Sequence, residues 1–148
     1  MICTALVVDT NVLVSGLLTA DSSAPTAWFL DRMLAASLPM PFILSEDLLD
    51  EYLAVLRRPR LRTLHGLSDE EIDTLLEEIA VNGILRMPVP SASRAPDPGD
   101  QHLFDLLAAQ PGAVLVTGDR LLLDHPPPGA SILSPRVLLD LLLGLDQP

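Results

Sequence analysis

The sequence has no lysine. All nine of its cations are arginine, set against 20 aspartates and glutamates for a net charge of −11. Mechanisms that run through a lysine Schiff base or a P-loop phosphate lysine are therefore excluded. One cysteine, Cys3, excludes an intramolecular disulfide and a multi-cysteine zinc site, and reads as an inert residue of a buried first strand. Aromatic residues make up 3% of the chain, too few for a platform on which single-stranded bases stack. No stretch reaches the ~18–20 apolar residues of a membrane span, and no Lys or Arg precedes the first apolar run, which Asp9 interrupts. The expectation is a soluble, cytoplasmic protein with no membrane attachment. The acidic balance argues against attraction to nucleic acid through the global field, but leaves open a local basic patch or a phosphate contact bridged by a metal.

Hydrophobic residues, by contrast, are plentiful at 49% of 148 positions, enough for one domain over residues 1–148 with a substantial core. Apolar runs of strand length (residues 2–8, 41–44, 84–89, 113–117 and 130–133) alternate with helical patterns. The first helical pattern covers residues 12–18, and the next follows Pro25 as far as Leu38. Ser45 caps a third, which Pro59 closes. Ser68 and Glu71 form a capping box before a helix stopped by Gly83, DQHLFDLLAAQ follows a Pro-rich loop at 88–99, and Ser134 caps the last. Alternation of this kind implies an α/β fold with a mainly parallel sheet covered on both faces, and a ligand crevice at the carboxyl ends of the strands.

Acids collect at that edge. ALVV runs directly into Asp9, and AVLV reaches Asp119 through Thr117 and Gly118. Glu51 lies in the first two turns of the helix after the second strand, and Asp97 and Asp100 open the helix before the fourth. Two carboxylates ~4 Å apart repel by about 4 kcal/mol at an effective dielectric near 20. Three or four together must take up protons or hold a cation. Hard oxygen donors without clustered Cys or His favour Mg²⁺ or Mn²⁺, and the chemistry such a site supports is metal-assisted phosphodiester hydrolysis.

The stretches VVDTNVLVSG, SEDLLDEYLAVLRRPRL, DPGDQHLFDLL and VLVTGD, in this order over nearly the whole chain, resemble the PIN-domain family, especially the bacterial VapC-like toxin type. The resemblance implies a three-layer α/β/α fold with four or five mainly parallel strands, and a Mg²⁺- or Mn²⁺-dependent ribonuclease. It also implies that Asp9, Glu51, Asp100 and Asp119 form the catalytic metal cluster, with Asn11 and Thr117 as polar supports and Ser45 orienting Asp9. The family resembled often reads TGD-x-D at the fourth motif; here Leu121 replaces the second acid, which favours a first metal over a second. Toxins of this type pair with an antitoxin carrying a basic, flexible segment. The apolar 12–40 region and the final helix are candidate grooves for such a protein or for a homodimer mate.

Around the acids, Arg120 is the best single phosphate contact. Arg57 and Arg58, with Arg60 and Arg62, either grip RNA or form a solvated helix end. Asp97 reads as an N-cap; His65, His102 and His125 read as surface or turn residues, and Trp28 and Phe29 as core or interface. Two alternatives stand beside the ribonuclease. GDRLLLD (118–124) fits an acidic motif of haloacid-dehalogenase-like phosphatases, although Asn11 replaces their second aspartate. A PIN-fold module that binds RNA or protein with weak or lost catalysis is the other.

Overall fold

The structure is a computed structural model and describes residues 3–144; Ile2, assigned above to the first strand, lies outside the described residues. Strands β1 (Ala5–Val8), β4 (Ala113–Val116) and β5 (Ser131–Leu133) form a parallel sheet in the order β1-β4-β5. Strands β2 (Ile43–Leu44) and β3 (Ile84–Leu85) form a parallel pair. A parallel bridge between Leu6 and Phe42, with Leu6 N–H donating to the Pro41 carbonyl at 2.9 Å, joins the two. From β1 the chain builds β2 and β3 on one side and returns to place β4 and β5 on the other. Strand order thus reverses between β1 and β4, where ligand crevices of open α/β sheets form.

All eight side chains of β1 and β4 are buried, so both sheet faces are covered. This explains why the two runs read as continuously apolar rather than alternating. Their register pairs Ala5 with Ala113 and Val8 with Val116, which sets the next residues, Asp9 and Thr117, side by side at the carboxyl edge.

Helix α1 (Thr10–Leu18) starts at Asp9, whose carboxylate accepts from Thr10 N–H. It packs on α2 (Pro25–Leu34) so closely that a Cβ on Gly16 would sit 2.5 Å from the Thr26 carbonyl oxygen. Ser45 caps α3 (Glu46–Leu56), and the Ser68–Glu71 capping box opens α5 (Asp69–Asn82). Helix α6 (Gln101–Ala108) follows a short 3-10 turn (Pro98–Asp100), and Ser134 caps α8 (Pro135–Leu143).

Several expectations need correction. Cys3 precedes β1 and is only half-buried, its thiol donating to the Ala5 carbonyl. Helix α2 stops at Leu34 rather than Leu38, where the chain turns through Ala36 at φ 53. Pro59 not only closes α3; it opens a further helix, α4 (Pro59–His65), for which its fixed φ is preorganised. The 84–89 strand shortens to two paired residues because the chain leaves the sheet at Pro88 towards α6, Val89 N–H donating to the Asp105 carbonyl. Helix α7 (Arg120–Leu123) was not foreseen. No helix among the described residues is long and apolar enough to cross a membrane.

Candidate metal centre

At the junction of β1 and β4 the backbone continues its ladder by one bond, Asp9 N–H to the Val116 carbonyl at 3.0 Å. Asp9 is 5% exposed, and a carboxylate so buried must be heavily hydrogen-bonded. Its Oδ1 accepts from Thr10 N–H at 2.8 Å; its Oδ2 accepts from the Thr117 hydroxyl at 2.8 Å and the Asn11 amide at 3.0 Å. Asn11 also spans the crevice: its amide reaches the Thr117 hydroxyl at 3.1 Å, and its Oδ1 accepts from Gly118 N–H at 2.9 Å. The Thr117 oxygen in turn accepts from Asp119 N–H at 3.0 Å. One polar lattice therefore fixes the ends of both strands to each other.

Glu51 enters from α3. Its Oε2 accepts from the Thr10 hydroxyl, and its Oε1 lies 3.6 Å from His102 Nε2. The neighbouring Tyr52 anchors the helix: fully buried, it donates its hydroxyl to the Val8 carbonyl, one residue before Asp9. Burial pushes its phenol well above the ordinary range, so it remains a neutral donor. Asp119 caps α7 through Oδ1, which accepts from Leu121 N–H at 3.0 Å. Asp100 ends the 3-10 turn at the start of α6, and its carboxylate makes no capping bond there.

Each of Asp9 and Asp100 feels the charge of other acids at this edge. Burial pushes the Asp9 carboxyl up, opposed by the Thr117 and Thr10 donors, while the Glu51 and Asp119 charges raise it further. Asp100 is pushed up to about 6, first by burial and then by the charges of Asp9, Asp97, Glu51 and Asp119. None of the four is paired with an arginine among the described residues; the one basic side chain in ion-pair range is His102, beside Glu51. Four carboxylate groups of hard oxygen donors, short of positive charge, fit a divalent cation in donor type and in charge. Among the described residues, however, no three His, Cys, Asp or Glu side chains already stand as a coordination set.

Of the supporting residues, Asn11 and Thr117 hold Asp9 as described. Ser45 does not bond Asp9: its hydroxyl, buried at the end of β2, accepts from Leu48 N–H at 3.1 Å and serves as the α3 cap. Arg120 is exposed beside Asp119 and forms no ion pair among the described residues. Arg57 is engaged with Asp73 at 3.4 Å and Asp69 at 4.0 Å, and Arg62 also pairs with Asp69. Arg58 is exposed at the start of α4. Asp97 caps the 3-10 turn through Gly99 N–H, and His65 contacts the Leu56 carbonyl away from the acids.

Three contributors escaped the sequence reading. Thr10 sits between Asp9 and Asn11 and links β1 to Glu51. Tyr52 follows Glu51 and holds its helix against Val8. His102, read as a surface residue, has its side chain only 15% exposed, with Nδ1 buried and unpartnered. Its place two residues after Asp100, on the first turn of α6, was the one signal available.

The family model for the PIN domain matches residues 5–121, from the first residue of β1 through Leu121. The chain belongs to the PIN-domain family. No curated protein matches it. PIN domains are typically nucleases and generally use divalent metal ions, and the stretch matched contains Asp9, Glu51, Asp100 and Asp119. The match is to this family rather than to the phosphatases that GDRLLLD also resembles.

Proposed function

We propose that this PIN domain is a Mg²⁺- or Mn²⁺-dependent endoribonuclease that hydrolyses RNA phosphodiester bonds at the β1–β4 edge, as the toxin component of a toxin–antitoxin pair. The reading is supported by four acids, Asp9, Glu51, Asp100 and Asp119, at the carboxyl edge with no arginine paired to them among the described residues; burial first, and then the charges of Asp9, Asp97, Glu51 and Asp119, push Asp100 up to about 6. Asp9, Glu51, Asp100 and Asp119 would hold the cation, which when bound supplies a hydroxide equivalent at neutral pH and neutralises charge on the phosphate. Asp9 is the fixed point of the set, locked by three donors. Glu51 is tied to it through Thr10. Asp100 and Asp119 are partly exposed; the Asp100 carboxylate makes no capping bond, while Asp119 is held by the α7 cap through Oδ1 and keeps Oδ2 for a ligand. Arg120, exposed beside Asp119, would take a phosphate oxygen of the RNA flanking the cut. Arg58 is the more available of the two helix-end arginines named as candidates, since Arg57 already has carboxylate partners.

The toxin assignment rests on the family resemblance and on the chain's net charge of −11, which suits a basic antitoxin segment. A second reading, a PIN module that binds RNA or protein without efficient cutting, is favoured by one specific feature. Leu121 stands 45% exposed beside Asp119, where it offers no ligand. Purified protein incubated with RNA and Mn²⁺ separates the two. The nuclease cuts, stops with chelator, and is silenced by Asp9→Asn while still binding RNA. A module binds RNA and leaves it intact under every metal condition.

A further inference from the structure

Five of the large apolar side chains that stand exposed fall within nine consecutive residues: Val81, Ile84, Leu85, Met87 and Val89, with Val81 at 82% and Met87 at 86%. Ile84 and Leu85 form β3, which pairs with β2 on one side only; Val81 lies just before it in the last turn of α5, and Met87 and Val89 just after it. Apolar exposure concentrated on a sheet edge marks an interaction surface, because an edge left open invites pairing by another chain. The backbone is set for that. Ile84 N–H donates to Phe42 and Arg86 N–H to Leu44. By strand alternation the N–H and C=O of Leu85 therefore point outward, and those of Met87, one residue past the last bond to β2, have no backbone partner among the described residues.

Beside these groups is a groove of about 380 Å³ lined by Leu85, Met87 and Pro88 together with Glu46 and Asp47 from the first turn of α3, and by Arg86. Arg86 is drawn towards Gln110. Glu46 and Asp47 are exposed and in no ion pair among the described residues. The groove thus offers an apolar floor, an acidic wall and an open backbone edge. A second copy of this chain would bring another −11 of charge to the same place, which works against self-pairing.

We infer that the β3 edge is a docking site for an extended partner segment that alternates apolar and basic residues and joins the sheet as an added strand. Apolar side chains of the segment lie on Leu85 and Met87, its basic side chains face Glu46 and Asp47, and its backbone bonds the free groups of Leu85 and Met87. Pro88 limits the pairing to a short stretch.

The probe is an acetylated, amidated heptapeptide of alternating valine and arginine, titrated into the isotope-labelled full chain. A matched peptide, N-methylated at alternate residues, keeps the charge but cannot join a sheet. Amide shifts confined to residues 46–47 and 81–89, with slowed hydrogen exchange at Leu85 and Met87, are expected. The N-methylated peptide should bind about tenfold more weakly or worse. Leu85→Ser and Met87→Ser, at solvent-exposed positions and with the fold checked by the unchanged amide spectrum elsewhere, should weaken the parent peptide comparably. Equal binding of the two peptides, or shifts centred elsewhere, overturns the proposal. So does a concentration-dependent dimer that occupies this edge and is abolished by Met87→Lys.

Discussion

Replacing Asp100 with asparagine should stabilise the metal-free protein. Asp100 is held at about 6 against an ordinary 3.8, by burial first and by the charges of Asp9, Asp97, Glu51 and Asp119 after it. At about 1.4 kcal/mol per tenfold change in proton affinity, that rise corresponds to about 3 kcal/mol of destabilisation when the group is charged. The side chain is partly solvated, so screening reduces the figure to about 1 kcal/mol. In a chain of this size that is about 2–4 °C of melting temperature. No capping bond is lost, because the Asp100 carboxylate makes none. The sign of the pH dependence follows from linkage. Between about 6 and 3.8 the folded state binds this proton and the unfolded state does not, so Asp100's penalty fades as pH falls through that window. Melts in chelator should show Asp100→Asn above wild type at pH 8, with the two converging near pH 4. Added Mn²⁺ should narrow or reverse the pH 8 difference, by stabilising the intact acid cluster more. A variant that melts at or below wild type at pH 8, or a gap constant with pH, refutes the account of crowded carboxylates.

Tyr52→Phe should cost about 1–3 kcal/mol, seen as a lower urea midpoint, because it strands the buried Val8 carbonyl that the hydroxyl now satisfies; an unchanged midpoint would mean that bond is dispensable. Gly16→Ala should cost a similar 1–3 kcal/mol by forcing α1 from α2, since the new Cβ would meet the Thr26 carbonyl oxygen at 2.5 Å; a neutral result would show that the helices yield freely. His102→Ala should lower kcat for RNA cleavage about tenfold (about 1.4 kcal/mol) with KM little changed, because the side chain beside Glu51 sets that carboxylate's position rather than gripping substrate. An effect confined to KM would place His102 in substrate binding instead.

The elements most legible in the sequence were those whose local signals agreed with the fold. β1 and β4 are apolar at every position because both faces of the sheet are covered. Ser45, Ser68 with Glu71, and Ser134 announced helix starts that the structure places there. What escaped turned on contacts from outside the segment. Pro59 reads equally as a stop or a start, and only the geometry beyond α3 decides that it starts α4. The apolar pattern of 84–89 suits a strand, yet beyond Leu85 the chain is drawn away to α6, leaving Met87 exposed. Asp9 was legible as a costly carboxylate at a strand end. The roles of Thr10, Tyr52 and His102 were not, because each depends on a partner more than forty positions away or across a helix junction.

Titration of Mn²⁺ into wild type and Asp9→Asn, followed by calorimetry or by the ion's paramagnetic signal, tests the central claim most directly. If Asp9, Glu51, Asp100 and Asp119 share one cation, wild type binds it and Asp9→Asn, still folded, binds at least about tenfold more weakly. Equal binding by the two proteins, or none by wild type at millimolar metal, would contradict a shared metal centre at this edge.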